Sequence, residues 1–243
     1  MAAGLSIRVE EKRFGSGGPL FSDFRLEIEP GSVVALMGPS GIGKSSLLRM
    51  IGGIDRAFTG QISIDGRDVA AAPPPGFVFQ DARLLPWLSA RDNVRLADSA
   101  MSDLAADVLL ESVGLGARGD AFPGQLSGGM QRRVALARAI ATKGQFLLLD
   151  EPFVSLEAQL ATEMRALLAA VMGRAEKGIV LVTHDAEDAA RLADRVILLA
   201  GRPARIVGDV TFSVPAQQRN EAKLAEYRRN IASLPAMEVG TGL

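Results

Sequence analysis

Val33-Val34-Ala35-Leu36-Met37-Gly38-Pro39-Ser40-Gly41-Ile42-Gly43-Lys44-Ser45-Ser46 decides the fold class of this chain. A short, wholly apolar run leads into a glycine-rich turn, and the helical stretch Ser45 to Ile51 follows. A strand, a tight loop and a helix start in that order make a phosphate cradle. Successive backbone N–H groups curl around an anion where the helix dipole also favours negative charge. Residues 38–46 are the candidate contacts, with Lys44 reaching the β- and γ-phosphates of a nucleotide and the Ser45 hydroxyl on Mg²⁺.

Outward from that loop, Val33 to Met37, Phe146 to Leu149, Ile179 to Thr183 and Val196 to Leu199 predict strands buried on both faces. Helical stretches separate them, so the expected class is α/β, with a mostly parallel sheet flanked by helices. Leu5 to Glu10, Phe24 to Ile28 and Gln61 to Ile64, the last followed by Asp65-Gly66, predict an N-terminal antiparallel part. Residues 84–141 are rich in Ala and Leu without a strand pattern and predict an inserted helical lobe. Residues 1–83 and 142–215 form the expected core around that lobe, Phe77-Val78-Phe79 is a further strand, and residues 216–243 are expected to form a polar helix and a tail.

Bulk properties narrow the function. At 243 residues and 48% hydrophobic, the chain suits one large domain. A net charge of −1 gives no basic field for nucleic acid, and the lack of cysteine excludes disulfides and thiolate chemistry. No apolar run approaches the roughly 20 residues that cross a bilayer, and the N-terminus lacks a secretory pattern. A soluble, cytoplasmic protein is expected; in any transport role the channel is a separate polypeptide.

Asp150 closes the strand Phe146 to Leu149 at the carboxyl edge of the sheet, where ligands of open α/β folds sit. From there it can hold Mg²⁺ through water. Glu151 follows at the same edge. A free carboxylate with a pKa of about 4.3 is a weak base, so its expected task is to orient an attacking water and take its proton late. His184, the only histidine, ends the strand Ile179 to Thr183.

Leu126-Ser127-Gly128-Gly129-Met130-Gln131, ahead of Phe146-Leu147-Leu148-Leu149-Asp150-Glu151, completes a set of motifs that resembles the ABC ATPases from about Leu5 to Ile206. The resemblance implies hydrolysis of ATP with Mg²⁺ between two copies of the chain arranged head to tail. Ser127, Gly128, Gly129 and Gln131 would touch the ATP held by the opposite copy. It further implies that Gln80 touches Mg²⁺ and the attacking water, that His184 contacts the γ-phosphate and Glu151, and that Phe14 stacks on adenine. Asp81 to Trp87 would receive a helix of a multi-span membrane permease; a core position is the other reading of Trp87. Ser155-Leu156-Glu157 departs from the family's usual Leu-Asp, Val154 stands in place of a small serine and Ser46 in place of a threonine. Phe79 to Trp87, Gly129-Met130 and Gly201 to Ile206 resemble the nitrate/sulfonate/taurine branch of bacterial importers. That branch implies a peripheral place at the cytoplasmic face of the cell membrane and, indirectly, a periplasmic or surface solute-binding protein. A soluble ABC ATPase of DNA repair or translation is the alternative. A P-loop kinase or GTPase would lack the Leu126 to Gln131 run.

Overall fold

The structure, a computed structural model, describes residues 4–154, 156–172 and 177–234. Ser155 and the expected tail from 235 onward lie outside the described residues.

Strands β1 (Leu5–Lys12), β2 (Phe21–Ile28), β4 (Thr59–Ile64) and β5 (Arg67–Asp68) form an antiparallel sheet in the order β2-β1-β4-β5. Strands β3 (Val33–Met37), β6 (Gly76–Val78), β7 (Phe146–Asp150), β8 (Gly178–Val182), β9 (Arg195–Ala200) and β10 (Arg205–Thr211) form the second, in the order β10-β9-β3-β8-β7-β6. The second sheet is parallel from β9 to β6; β10 joins it antiparallel at the edge.

Alternation along the central strands explains their unbroken apolar runs. Val33, Ala35 and Met37 enter one core cluster with Leu147, Leu149, Ile179 and Leu181. Val34 and Leu36 enter the other, with Leu148, Val180 and residues of the antiparallel sheet such as Ile7 and Leu26. With both faces covered, no strand position is left for a polar residue until the strand ends. That is why Asp150 marks an edge.

Helix α1 (Lys44–Ile51) packs beneath the antiparallel sheet through Leu47, Leu48, Met50 and Ile51. Between β6 and β7 lie α2 (Ala90–Arg95), α3 (Asp103–Ser112) and α4 (Gly128–Ala141); α5 (Ala158–Met172), α6 (Ala186–Leu192) and α7 (Glu221–Ala232) follow β7, β8 and β10. Ser89, Ser102, Ser127, Asp185 and Asn220 cap α2, α3, α4, α6 and α7, each side-chain oxygen accepting an amide of the first turn. The far end of α4 lies against the sheet so closely that a Cβ at Gly76 would sit 2.1 Å from the Ala139 carbonyl oxygen.

Two differences from the sequence reading stand out. Strand β10 was not anticipated: its residues alternate exposed and half-buried, with a register irregularity between Ile206 and Gly208. Trp87 is 69% exposed, so it is not a core residue.

Candidate phosphate site at the edge of the parallel sheet

Leaving β3, the chain passes through Gly38 (φ 140°), Gly41 (75°) and Gly43 (108°) into α1. A side chain at Gly38 would also collide with the sheet, its Cβ 2.3 Å from the Leu199 carbonyl oxygen. Lys44 folds back over this loop and donates from Nζ to the carbonyl oxygens of Gly38 (2.7 Å) and Pro39 (2.9 Å). Burial lowers its pKa, against the pull of Glu151 and Asp150. The ammonium is thus held in place over the loop.

Ser45 Oγ donates to Asp150 Oδ1 at 2.8 Å. Asp150 is buried, and desolvation raises its pKa; the Ser45 hydrogen bond opposes this, and the neighbouring Glu151 charge adds to the rise. A carboxylate held above its ordinary range and next to a hydroxyl gains when a cation arrives.

Glu151 sits in the left-handed region at φ 48°, unusual for a residue with a side chain. Its N–H donates to the Val182 carbonyl at 3.0 Å, which fixes the carboxylate at the sheet edge. His184 Nδ1 stands 3.7 Å from Glu151 Oε2, outside hydrogen-bond range, and the imidazole is mostly exposed. Two clefts meet at Glu151. One of ≈ 260 Å³ is lined by Phe14, Leu20, Ser40, Gly41, Gly43 to Ser46, Glu151 and Arg202. The other, ≈ 220 Å³, is lined by Glu151, Phe153, Val154, Arg165, Thr183, His184, Asp185 and Asp188.

The structure therefore brings together Phe14, the loop residues, Glu151 and, across the second cleft, His184. Asp150 joins them through Ser45. Gln80, exposed just past β6, lines neither cleft. Ser127, Gly128, Gly129 and Gln131 line neither as well. Ser127 caps α4, its Oγ accepting the Met130 N–H at 3.3 Å. Gly129 is packed against α5, where a Cβ would lie 2.6 Å from Leu160 Cδ2. Gln131 spends its amide N–H groups on the carbonyls of Pro123 and Leu126. Ser127 and Gly128 are exposed.

Sequence reasoning passed over Leu20 and Arg202, which reach the first cleft from distant parts of the chain. The only hint of Arg202 was its place in the turn Gly201-Arg202-Pro203. The exposed Trp87 loop is itself well held: buried Asn93 accepts the Leu85 N–H at 2.9 Å and donates to the carbonyls of Leu85, Leu88 and Ser89.

Comparison with known proteins agrees with this geometry. A family model described as ABC transporter matches residues 21–154. The aliphatic sulfonates import ATP-binding protein SsuB 1 of Xanthomonas axonopodis pv. citri is 39% identical over 250 residues, 98% of this chain and 99% of that protein. The aliphatic sulfonates import ATP-binding protein SsuB of Bacillus licheniformis is 39% identical over 219 residues, 87% of this chain and 86% of that protein. Among solved structures, the dimeric post-hydrolysis state of the ATP-binding cassette MJ0796 bound to ADP and Pi is similar with a TM-score of 0.73 and 30% identity, covering 86% of this chain and 98% of that one. With the loop, the strand-end carboxylates and these relatives all in agreement, the chain belongs to the ABC transporter family.

Proposed function

We propose that this chain is the ATP-hydrolysing subunit of a bacterial ABC importer, driving uptake of a small solute of the nitrate, sulfonate or taurine kind through a separate membrane permease. The observation that carries this reading is one cleft lined by Lys44, Ser45 and Glu151, with buried Asp150 bonded to Ser45, in a chain whose import-protein relatives match it over nearly its whole length. The division into a core (1–83 and 142–215), a helical lobe (84–141) and a C-terminal part (216–243) belongs to the same proposal.

Residues 38–46 cradle the phosphates with their amides, Lys44 faces the β- and γ-phosphates, and Phe14 stacks on adenine. Ser45 and Asp150 suit Mg²⁺, being two hard oxygen donors 2.8 Å apart. When bound, the ion neutralises charge on the transferred phosphoryl group. Glu151 positions the attacking water and takes its proton late. His184 contacts the γ-phosphate and Glu151, and Gln80, which lines neither cleft in this structure, touches Mg²⁺ and the attacking water. Ser127, Gly128, Gly129 and Gln131 complete the site of a second copy, head to tail. The loop ending at Trp87 docks the permease at the cytoplasmic face of the membrane, and a solute-binding protein delivers the cargo outside.

Glu151→Gln tests the chemistry. ATP binding should persist while phosphate release nearly stops; turnover within a fewfold of wild type would remove Glu151 from its role. Copurification with a multi-span membrane protein tests the importer reading. Its absence would favour a soluble ABC ATPase.

A further inference from the structure

We propose that Arg202 is a second nucleotide-binding cation, serving the α-phosphate end of the ATP; this rests on the nucleotide-site reading of the first cleft. Arg202 lies in the turn between β9 and β10, far in sequence from the loop it faces, yet lines the cleft with Phe14, Leu20 and Ser46. The turn is fastened there. Ala204 N–H donates to the Leu20 carbonyl at 2.8 Å, and Phe21 and Ala204 form a parallel bridge.

The same two residues set where along the nucleotide Arg202 acts. Leu20 and Phe21 pack onto Gly43, so closely that a Cβ there would meet the Phe21 ring at 2.9 Å and Leu20 Cδ2 at 3.1 Å. Gly43 stands at the N-terminus of α1, and it and Phe14 line the same cleft. Lys44 serves the opposite end of the phosphate chain, where its Nζ is tied to Gly38 and Pro39. With Lys44 serving the β- and γ-phosphates and Phe14 the adenine, the α-phosphate is the anionic group between them in the nucleotide, and it is the one left for Arg202 in the same cleft.

The state of the guanidinium fits this task. Arg202 is exposed, and among the described residues it makes no ion pair and no side-chain hydrogen bond. By contrast, Arg195, at the start of β9, is locked to Asp209 by two hydrogen bonds. A planar donor fork in an anion-binding cleft, uncommitted to protein carboxylates, can bond a phosphate oxygen bidentately.

Because ATP and ADP share the α-phosphate, the two nucleotides should suffer equally. Calorimetry of the full chain with ADP and with the non-hydrolysable β,γ-imido analogue of ATP provides the test. Arg202→Ala should weaken both by the same factor, about three- to tenfold for one partly exposed charge-assisted contact. Arg202→Lys should recover part of the loss, and the nucleotide-free melting temperature should not move. Unchanged affinity for both would overturn the proposal, as would a loss confined to the triphosphate, which would put the guanidinium at the γ-phosphate. Lys44→Ala separates this from failure of the underlying reading. If wild type binds neither nucleotide, or Lys44→Ala binds as wild type does, the cleft is not a nucleotide site; if Lys44→Ala is impaired and Arg202→Ala is not, only the Arg202 proposal falls.

Discussion

Arg138, in the last turn of α4, spans the gap between the helix that carries Ser127 to Gln131 and the segment that follows β6. Its guanidinium donates to the carbonyls of Arg83 (3.0 Å) and Ala82 (3.1 Å), and desolvation lowers its pKa. Arg83 itself has φ 45° and places its guanidinium 4.2 Å from the centre of the Phe79 ring. The segment holding Gln80 is thus bent into shape and pinned from α4. Arg138→Met removes two charge-assisted hydrogen bonds, each worth about 1.5–3 kcal/mol when sealed from water. One of the two contacts is exposed, so water replaces part of it, and recovery of the desolvation cost offsets more. A net loss of about 1–2 kcal/mol follows, or roughly 2–8 °C in melting temperature for a chain of this size. The local effect should exceed the global one. Exchange of the Leu85 amide, held by Asn93, should accelerate far more than that of amides in β3 or β8, and ATP turnover should fall with Gln80 no longer fixed. Arg138→Lys, with one compact charge for two carbonyls, should lie between. Unchanged Leu85 exchange together with wild-type turnover would refute the idea that α4 positions this loop.

Trp87→Ala should shift folding stability by no more than about 0.5 kcal/mol, since the ring is exposed, while permease copurification is lost; a loss of about 3–5 kcal/mol would instead be the signature of a core position. Asp150→Asn should abolish Mg²⁺-dependent nucleotide affinity but stabilise the nucleotide-free chain at neutral pH. The folded-state pKa of Asp150 is raised by burial, so ionisation opposes folding above that pKa, and the penalty vanishes as pH falls below the unfolded value. The melting advantage of the variant should therefore shrink on acidification through the carboxylate range; an advantage that grows toward acid would contradict the sign. Lys44→Ala should weaken ATP binding by well over the effect of Arg202→Ala, measured by the same calorimetry.

The parts of the fold legible in the sequence were those whose cause is local. Val33 to Met37 had to be a doubly covered strand because every position is apolar, and the glycines behind it have no other reason to cluster. Strand β10 escaped because an edge strand with one wet face needs no apolar run: Arg205, Asp209 and Thr211 are as suited to a loop as to a ladder, and its pairing is supplied by β9. The Gly129 requirement also had a hidden half, the approach of Leu160 from α5, which no local pattern displays. Residues of the candidate site separate in the same way. Lys44, Ser45, Asp150 and Glu151 announce themselves by contiguous motifs. Arg202 and Leu20 join the cleft only through the fastening of one hairpin turn onto the loop before β2, and an arginine in a turn is indistinguishable in sequence from a solvated one. Trp87 was misplaced in one reading for a related reason. A lone large aromatic in an Ala- and Leu-rich stretch suggests burial, whereas here Asn93 takes the buried position and holds up the loop that carries the ring.

Pairing of two disabled chains tests the central claim, a site completed by a second copy, most directly. On the proposed arrangement, Ser127→Arg places a long charged side chain at the opposite copy's nucleotide, and Lys44→Ala removes the cation proposed to face the phosphates. Sedimentation with ATP should find each variant monomeric alone, and their equimolar mixture forming dimers, because one of its two composite sites then unites an intact phosphate loop with an intact Ser127 to Gln131 segment. ATP-independent monomers in the mixture, together with concentration-independent, wild-type hydrolysis by Ser127→Arg alone, would contradict the account.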